Sequence, residues 1–158
     1  MAGKVKAIPD NYPRVTPYLV VDGAAAAIDF YTKVFGATEQ MRMPAPGNKI
    51  GHAEIKMGDS MVMLADANPQ MGHKSPKGLG GTPISLLLYV ENADDTVKRA
   101  VAAGGKLVRP VENQFYGDRM GGVEDPFGHH WYVATHVEDV SPEEMQRRMA
   151  AMAPAGAA

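Results

Sequence analysis

The stretch TPYLVVDGAAAAIDFYTKVFGA, residues 16–37, carries a strand pattern that runs directly into a helix pattern. Residues 15–21 are rich in β-branched and aromatic side chains and predict a strand. Residues 24–35 combine an alanine run with large apolar side chains at helical spacing, which predicts an amphipathic helix. Asp22 is placed to cap the start of this helix, and Gly36 is placed to end it.

The same order of elements occurs twice along the chain. Three further strands are predicted after the helix, at residues 38–43, 50–57 and 60–65. The second half then predicts a strand at 84–90, a helix between Asn92 and Gly105, and strands at 106–111, 119–124 and 130–135. Asn92 lies 69 positions after Gly23, and Gly105 lies 69 positions after Gly36. Because both helix ends keep one offset, the sequence predicts an α+β fold of two tandem βαβββ modules.

The predicted boundaries are an N-terminal extension (1–14), a first module (15–66), a connector (67–82), a second module (83–137) and a C-terminal helix (141–152), with 15–137 as a single domain. The connector is rich in glycine and proline, so we expect a flexible link or, alternatively, a mobile lid. The C-terminal helix presents Met145, Met149 and Met152 as an apolar face for the domain or a partner. The tail after Ala153 is expected to be disordered.

Composition limits the classes of function. At 158 residues the chain suits one domain, and its apolar runs are too short to cross a bilayer. There are 16 Lys and Arg against 18 Asp and Glu without a basic cluster, which argues against nucleic acid or an anionic membrane as partner. The absence of cysteine excludes disulfides and thiolate chemistry. No secretory signal is recognisable near the N-terminus, so we expect cytoplasmic residence.

Two segments, residues 16–37 and the motif DPFGHHW at 125–131, together with the paired modules resemble the vicinal oxygen chelate (VOC) superfamily, the glyoxalase and bleomycin-resistance group. The segment GHAEIKMGDSMVMLADA, residues 51–67, is most similar to the PhnB-like branch. This resemblance covers about residues 15–136. It implies a cup formed by the mixed sheets with helices outside, commonly in a homodimer. Members include lyases, isomerases, dioxygenases, thiol transferases and pure binders, so the fold does not select a reaction.

The resemblance also implies where a divalent metal would be held, on the first and last strands of each module. Those positions carry Thr16, Met63, Ser85 and Tyr132. None is a good ligand, because such metal sites use imidazole or carboxylate groups. We therefore predict no cofactor.

A displaced metal site is the alternative. Strand alternation places His52 and Glu54 on one face, which is expected to line the cup, and His130 is expected to point inward as well. These three side chains could hold Zn, Ni, Co, Mn or Fe. The other interpretation of His52 and Glu54 is an ordinary hydrogen-bonded pair. His73 and His136 are predicted to be ordinary surface histidines.

Arg119 lies in a polar loop, and its planar guanidinium could bind an anionic or hydroxylated ligand. Local ion pairing with Asp118 is the alternative. The predicted ligand-binding set is Tyr18, His52, Glu54, Met63, Ser85, Arg119, His130 and Tyr132. The candidate catalytic residues are His52, Glu54 and Arg119.

The favoured hypothesis is a homodimeric protein that binds a small molecule in the cup without a metal, as a binder or as an enzyme of unspecified activity. A glyoxalase-type lyase, isomerase or dioxygenase with a displaced metal site is the first alternative. A non-enzymatic interaction module that uses the C-terminal helix is the second. Nucleophilic hydrolysis is not supported, since the chain has neither cysteine nor a GxSxG motif.

Overall fold

The computed structural model describes residues 5–152. Its first compact unit extends to Thr82 and includes Pro126–Gly128, and the second comprises Pro83–Asp125 and the chain from His129 onward. Each unit contains a four-stranded mixed sheet with helices. The predicted α+β fold of two βαβββ modules with a C-terminal helix is therefore confirmed. The first four residues of the predicted extension, and the tail predicted to be disordered, lie outside the described residues.

The first unit contains one sheet and one long helix. Its elements are β1 (Tyr18–Val21), α1 (Ala24–Phe35), β2 (Thr38–Ala45), β3 (Lys49–Met57), β4 (Ser60–Asp66), a 3₁₀ turn (Pro69–Met71) and α2 (Pro76–Leu79). The strand order is β1-β4-β3-β2, with β1 parallel to β4 and the other pairs antiparallel. Tyr31 and Ile28 of α1 are buried, as are Ile55 and Leu64 of the sheet. The helix thus covers one face of the sheet and leaves the opposite face for polar side chains.

Strand β1 is shorter at its start than the sequence predicted. It begins at Tyr18, whereas Val15 is exposed and the Thr16 hydroxyl donates to the carbonyl of Pro13. Pro17 has no N–H to give to the ladder, and its carbonyl accepts from the Met63 amide. The proline therefore marks where regular pairing starts.

The start of α1 is capped from a distant strand. Gly23 occupies the N-cap position and has no side chain, so Asp22 lies one residue too early, and the prediction that Asp22 caps the helix is wrong. The Oδ1 atom of Asp66 accepts from the amides of Gly23 (2.8 Å) and Ala24 (3.0 Å). Its Oδ2 atom accepts from the Ile50 amide at 2.8 Å. One carboxylate at the end of β4 thereby joins the helix start to β3.

The connector has more regular structure than its composition indicated. Ser75 precedes α2 and is buried; its hydroxyl accepts from the Gly78 amide at 3.2 Å and donates to the Asp22 carboxylate. Pro76 occupies the first helical turn, where its missing N–H costs nothing, and Gly80 ends the helix in a left-handed conformation. The segment is thus hydrogen-bonded to the start of the first helix.

The second unit repeats this plan and adds a helix. Its elements are β5 (Ser85–Tyr89), α3 (Ala93–Ala102), β6 (Lys106–Asn113), β7 (Asp118–Glu124), β8 (His130–His136) and α4 (Pro142–Met152). The strand order is β5-β8-β7-β6, with β5 parallel to β8. The Asn92 side chain caps α3 by accepting from the Asp95 amide at 3.0 Å. None of the helices between residues 5 and 152 has the length and apolarity needed to cross a bilayer.

The duplication is visible in strand register. Tyr18 pairs with Met63, and Leu87 pairs with Tyr132, so both partners of the second pair lie 69 positions later. Glu54 also pairs with Met63, but Tyr132 pairs with Gly122, which lies 68 positions after Glu54. A one-residue shift therefore places a glycine in the second sheet where the first has Glu54.

Candidate functional site

The open face of the first sheet carries a row of hydrogen-bonded polar side chains. On β3, Ala53 and Ile55 are fully buried on the α1 side, so His52 and Glu54 point to the other face. The Glu54 carboxylate accepts from the Tyr12 hydroxyl at 2.6 Å, and its second oxygen lies 3.2 Å from His52 Nε2. The Tyr18 hydroxyl lies 3.0 Å from His52 Nδ1. Tyr12, Glu54, His52 and Tyr18 thus form one continuous network.

The network determines which His52 nitrogen carries the hydrogen. An ionised carboxylate can only accept, so Nε2 is the nitrogen that donates to Glu54. In the tautomer with one ring hydrogen, Nδ1 is then the acceptor for the Tyr18 hydroxyl. Since Tyr18 is 47% exposed, this basic nitrogen lies at the accessible end of the network.

Glu54 is the most buried charge of this row. The side chains of His52 and Glu54 retain 24% and 11% of their exposure. The Tyr12 hydrogen bond, together with the weaker effect of His52, holds the pKa of Glu54 below its ordinary value against the opposing effect of burial. The same bond to Glu54 raises the pKa of Tyr12. The carboxylate is therefore ionised and orients His52 at neutral pH.

Met63, a member of the predicted ligand-binding set, lies beside this pair. It is half-buried on β4 and is in register with both Tyr18 and Glu54. A thioether at this position provides an adaptable apolar contact next to the polar row.

The second sheet carries its own pair of a histidine and a glutamate. His130 Nε2 lies 3.1 Å from Glu124 on the neighbouring strand, and each side chain is 38% exposed. Ser85 pairs with His130 and Leu87 with Tyr132 in the parallel ladder, so Ser85, His130 and Tyr132 share one face. Three members of the predicted ligand-binding set are thus neighbours within this sheet.

Arg119 is placed differently from the expectation. Its guanidinium makes a two-pronged bond to Asp94 of α3, with Nε and Nη2 donating at 2.6 and 2.8 Å, and Nη1 donates to Asn113 at 3.1 Å. It therefore points to the helix side of the second sheet, opposite the face of His130, and its partner is Asp94 instead of Asp118. The helix partner could not be found from sequence because 25 positions separate the two residues.

His136 belongs to a network that the sequence did not reveal. Its Nδ1 lies 2.8 Å from Asp118, and its Nε2 lies 3.0 Å from Asp139. Asp118 also accepts from the Tyr89 hydroxyl at 2.7 Å. The hydrogen bond to Asp118 and, second to it, the bond to Asp139 raise the pKa of His136 above its ordinary value. The prediction of an ordinary surface histidine describes its exposure but misses both partners.

The C-terminal helix is held by Arg148. Its guanidinium bonds Glu138 and Glu144 and donates to the carbonyl of Phe115 at 3.0 Å. The apolar side of α4 remains largely outside the core, since Met149 and Met152 are 55% and 65% exposed.

A cavity of about 780 Å³ lies at one end of the first sheet. It is bounded by the β2–β3 hairpin and the connector, and its lining includes Lys49, Ile50, Asn68, Gln70, Met71 and His73. His73 is therefore exposed at the edge of a cavity.

The four positions at which the family resemblance implies metal ligands do not fit a divalent ion. The hydroxyl of Thr16 is bonded to the Pro13 carbonyl, and Met63, Ser85 and Tyr132 offer only soft or neutral donors. Within residues 5–152, no three His, Asp or Glu side chains are grouped closely enough to hold an ion together.

The family model for the Glyoxalase/Bleomycin resistance protein/Dioxygenase superfamily matches residues 12–133. The chain therefore belongs to this superfamily. An uncharacterized protein of Mycobacterium tuberculosis strain H37Rv is 47% identical over 140 residues, which cover 87% of this chain and 82% of that protein. A counterpart in Mycobacterium bovis shows the same identity over 92% of its length.

Solved structures show the same fold. TioX from Micromonospora sp. ML1 is 26% identical with a TM-score of 0.60, and the match covers 82% of this chain and all of TioX. The Arabidopsis thaliana At5g48480 product is 26% identical with a TM-score of 0.63, over 78% of this chain and 98% of that one. A PhnB protein from Bacillus cereus, at 18% identity and a TM-score of 0.61 over 78% of this chain and 99% of that one, supports the fold alone.

Proposed function

We propose that the protein binds a small molecule on the open face of the first sheet, at the Glu54–His52 pair, without a divalent metal. The observation that carries this proposal is the hydrogen-bonded row of Tyr12, Glu54, His52 and Tyr18. Such convergent polar groups beside an apolar wall, here Met63, are typical of ligand sites. The poor donors at the positions where the family resemblance implies metal ligands support a function that does not depend on an ion.

The chemistry available at this pair is the acceptance of a proton. Glu54 orients the His52 ring so that Nδ1 faces the accessible end of the row as an acceptor, and the charge that would develop on the imidazole is stabilised by the neighbouring carboxylate. A ligand with an acidic hydrogen could share Nδ1 with the Tyr18 hydroxyl, which lies 3.0 Å from it. The pair thus suits recognition of a hydrogen-bond donor, and in an enzyme it would act as a general base.

The contacts in the second sheet remain predictions. Ser85, His130 and Tyr132 share a face and are available to a ligand, whereas Arg119 is engaged by Asp94 and is left out of the proposed site. Homodimer formation, which the family resemblance implies, and cytoplasmic residence likewise remain expectations.

A thermal-shift screen of small molecules tests the proposed site. Compounds that raise the melting temperature of the wild type should lose most of this effect in His52→Asn and Glu54→Gln. A lost hydrogen bond to a charged partner, about 1.5–3 kcal/mol, corresponds to roughly 10- to 100-fold in Kd. Glu39→Gln is the matched control, because Glu39 is a carboxylate on β2 of the same sheet that pairs with Arg42.

Compounds that stabilise Glu39→Gln as they do the wild type, but not the two site variants, would support the proposal. A screen without hits, or hits that bind both site variants undiminished, would contradict it.

A further inference from the structure

The chain itself occupies both ends of the Glu54–His52 pair with phenolic hydroxyls. Tyr12 donates to Glu54 at 2.6 Å, and the Tyr18 hydroxyl lies 3.0 Å from His52 Nδ1. Tyr18 is fixed within β1, whereas Tyr12 lies in residues 5–17, which contain no helix or strand. We call residues 5–17 the strap.

The strap is attached to the sheet at two places. The carbonyl of Pro17 accepts from the Met63 amide at 2.9 Å where the strap enters β1, and the Tyr12 hydroxyl reaches Glu54 across 42 positions of sequence. Its other side-chain bonds, from Lys6 to Asp10 and from Thr16 to Pro13, stay within the strap. Breaking the Tyr12–Glu54 bond would therefore remove the hydrogen bond that joins the described part of the strap to the site, without breaking a strand or a helix.

The acceptor that Tyr12 occupies is one that a ligand would seek. Glu54 is almost buried, and its second oxygen already accepts from His52, so a molecule that enters must supply a new donor to the first oxygen. A buried carboxylate left without that donor would pay a large desolvation penalty. A phenol reproduces the Tyr12 side chain, because it has the same hydroxyl donor and the same apolar ring.

We infer that the ligands of this site are phenolic or similar hydroxyl-bearing small molecules, and that Tyr12 is a displaceable internal occupant that competes with them for Glu54. This inference rests on the proposed function and adds the class of ligand and the way in which Tyr12 regulates its binding. A ligand would bind only the molecules in which the Tyr12–Glu54 bond is open, so the apparent affinity is reduced in proportion to that fraction.

The test uses 4-methylphenol, which is the tyrosine side chain as a free molecule, and toluene, which lacks the hydroxyl. Binding to the full chain is measured by NMR titration for the wild type, Tyr12→Phe and Tyr116→Phe. The expected result is a Kd for 4-methylphenol about tenfold lower in Tyr12→Phe than in the wild type, because removal of one charge-assisted bond frees the acceptor. Toluene should bind all three proteins equally and more weakly.

Tyr116→Phe is the matched control, since Tyr116 donates to the sulfur of Met120 in the second unit and should leave the wild-type Kd unchanged. Glu54→Gln placed in the Tyr12→Phe background should remove the gain. Equal Kd values for 4-methylphenol in the wild type and Tyr12→Phe would overturn the competition by Tyr12, as would a gain with toluene as large as that with 4-methylphenol. No binding of 4-methylphenol to either protein would overturn the ligand class.

The proposed function is judged separately, by the thermal-shift screen. Screen hits that require His52 and Glu54, together with unchanged 4-methylphenol binding in Tyr12→Phe, would leave the site in place and remove the role of Tyr12. Failure of the screen would remove the site itself.

Discussion

Replacement of Asp66 by asparagine should lower the free energy of unfolding by about 2–4 kcal/mol, because buried backbone donors lose a charged acceptor. Asparagine has the same shape, and its oxygen can still accept from the amides of Gly23 and Ala24. Its NH₂ group would face the Ile50 amide, so two donors would oppose each other where a 2.8 Å hydrogen bond now exists. Both Ala24 and Ile50 are buried, so the loss falls on backbone donors with little exposure to solvent.

Urea denaturation of Asp66→Asn and Asp59→Asn would measure this effect. Asp59 is an exposed carboxylate in the β3–β4 turn that accepts only from the neighbouring Ser60 hydroxyl, so its substitution should change stability by less than about 0.5 kcal/mol. Equal midpoints for the two variants would show that the Asp66 carboxylate does not hold the helix start to β3.

The contribution of Asp66 should also depend on pH. Burial acts to raise the pKa of Asp66, but the backbone donors of Ile50, Ala24 and Gly23 with nearby Lys49 lower it overall. A carboxyl group whose pKa is lower in the folded state stabilises fully above its ordinary pKa, and this stabilisation is lost as pH falls through the folded value. The difference between the wild type and Asp66→Asn should therefore be constant near neutral pH and shrink below about pH 4. A difference that persists undiminished into strong acid would contradict the charged role.

Replacement of Gly117 by alanine should cost about 3 kcal/mol or more, through backbone strain and overpacking combined. Gly117 has a φ of 102°, which side chains rarely adopt, and an added Cβ would lie 2.1 Å from the carbonyl oxygen of Glu138. Backbone atoms cannot move aside as a side chain can. The Gly117 carbonyl also accepts from the amides of Val137 (2.9 Å) and Glu138 (3.0 Å), so the clash would break the contacts that direct the chain toward α4.

Gly47→Ala is the control that separates strain from the clash. Gly47 also has a positive φ, of 79°, but an added Cβ would meet nothing within 4 Å. Its substitution should cost only the left-handed backbone penalty, about 1–2 kcal/mol. Thermal denaturation gives the two costs, and hydrogen exchange at Val137 and Glu138 should be faster in Gly117→Ala alone. Similar stability of the two variants would mean that the segment after β8 adjusts without cost.

Much of the fold could be predicted because its signals are local. Both ends of the helix predicted at 24–35 agree with the structure, since alanine content, apolar spacing and the Gly36 end all lie within one stretch. The offset of 69 positions predicted the second module, and the structure repeats it in the pairing of β5 with β8. Alternation along β3 was enough to place His52 and Glu54 on one face.

The candidate site was only partly predictable. No periodic pattern marks Tyr12, because it lies outside every strand and helix, and its partner Glu54 is 42 positions away. The interpretation of Arg119 as a ligand contact followed from its side-chain chemistry, but the nearby Asp94 satisfies that chemistry within the protein.

The sequence alone determined the order and duplication of the strands and long helices, because these depend on neighbouring residues and on the burial of alternating or helical faces. It did not reveal the short helix α2 in the connector. Only the tertiary structure decided which partner satisfies each polar group. Asp66 rather than Asp22 caps α1, Asp94 accepts hydrogen bonds from Arg119, and Tyr12 donates to Glu54. A buried donor or acceptor must be paired by whatever group folding brings within about 3 Å, and that proximity depends on how the strands and helices pack.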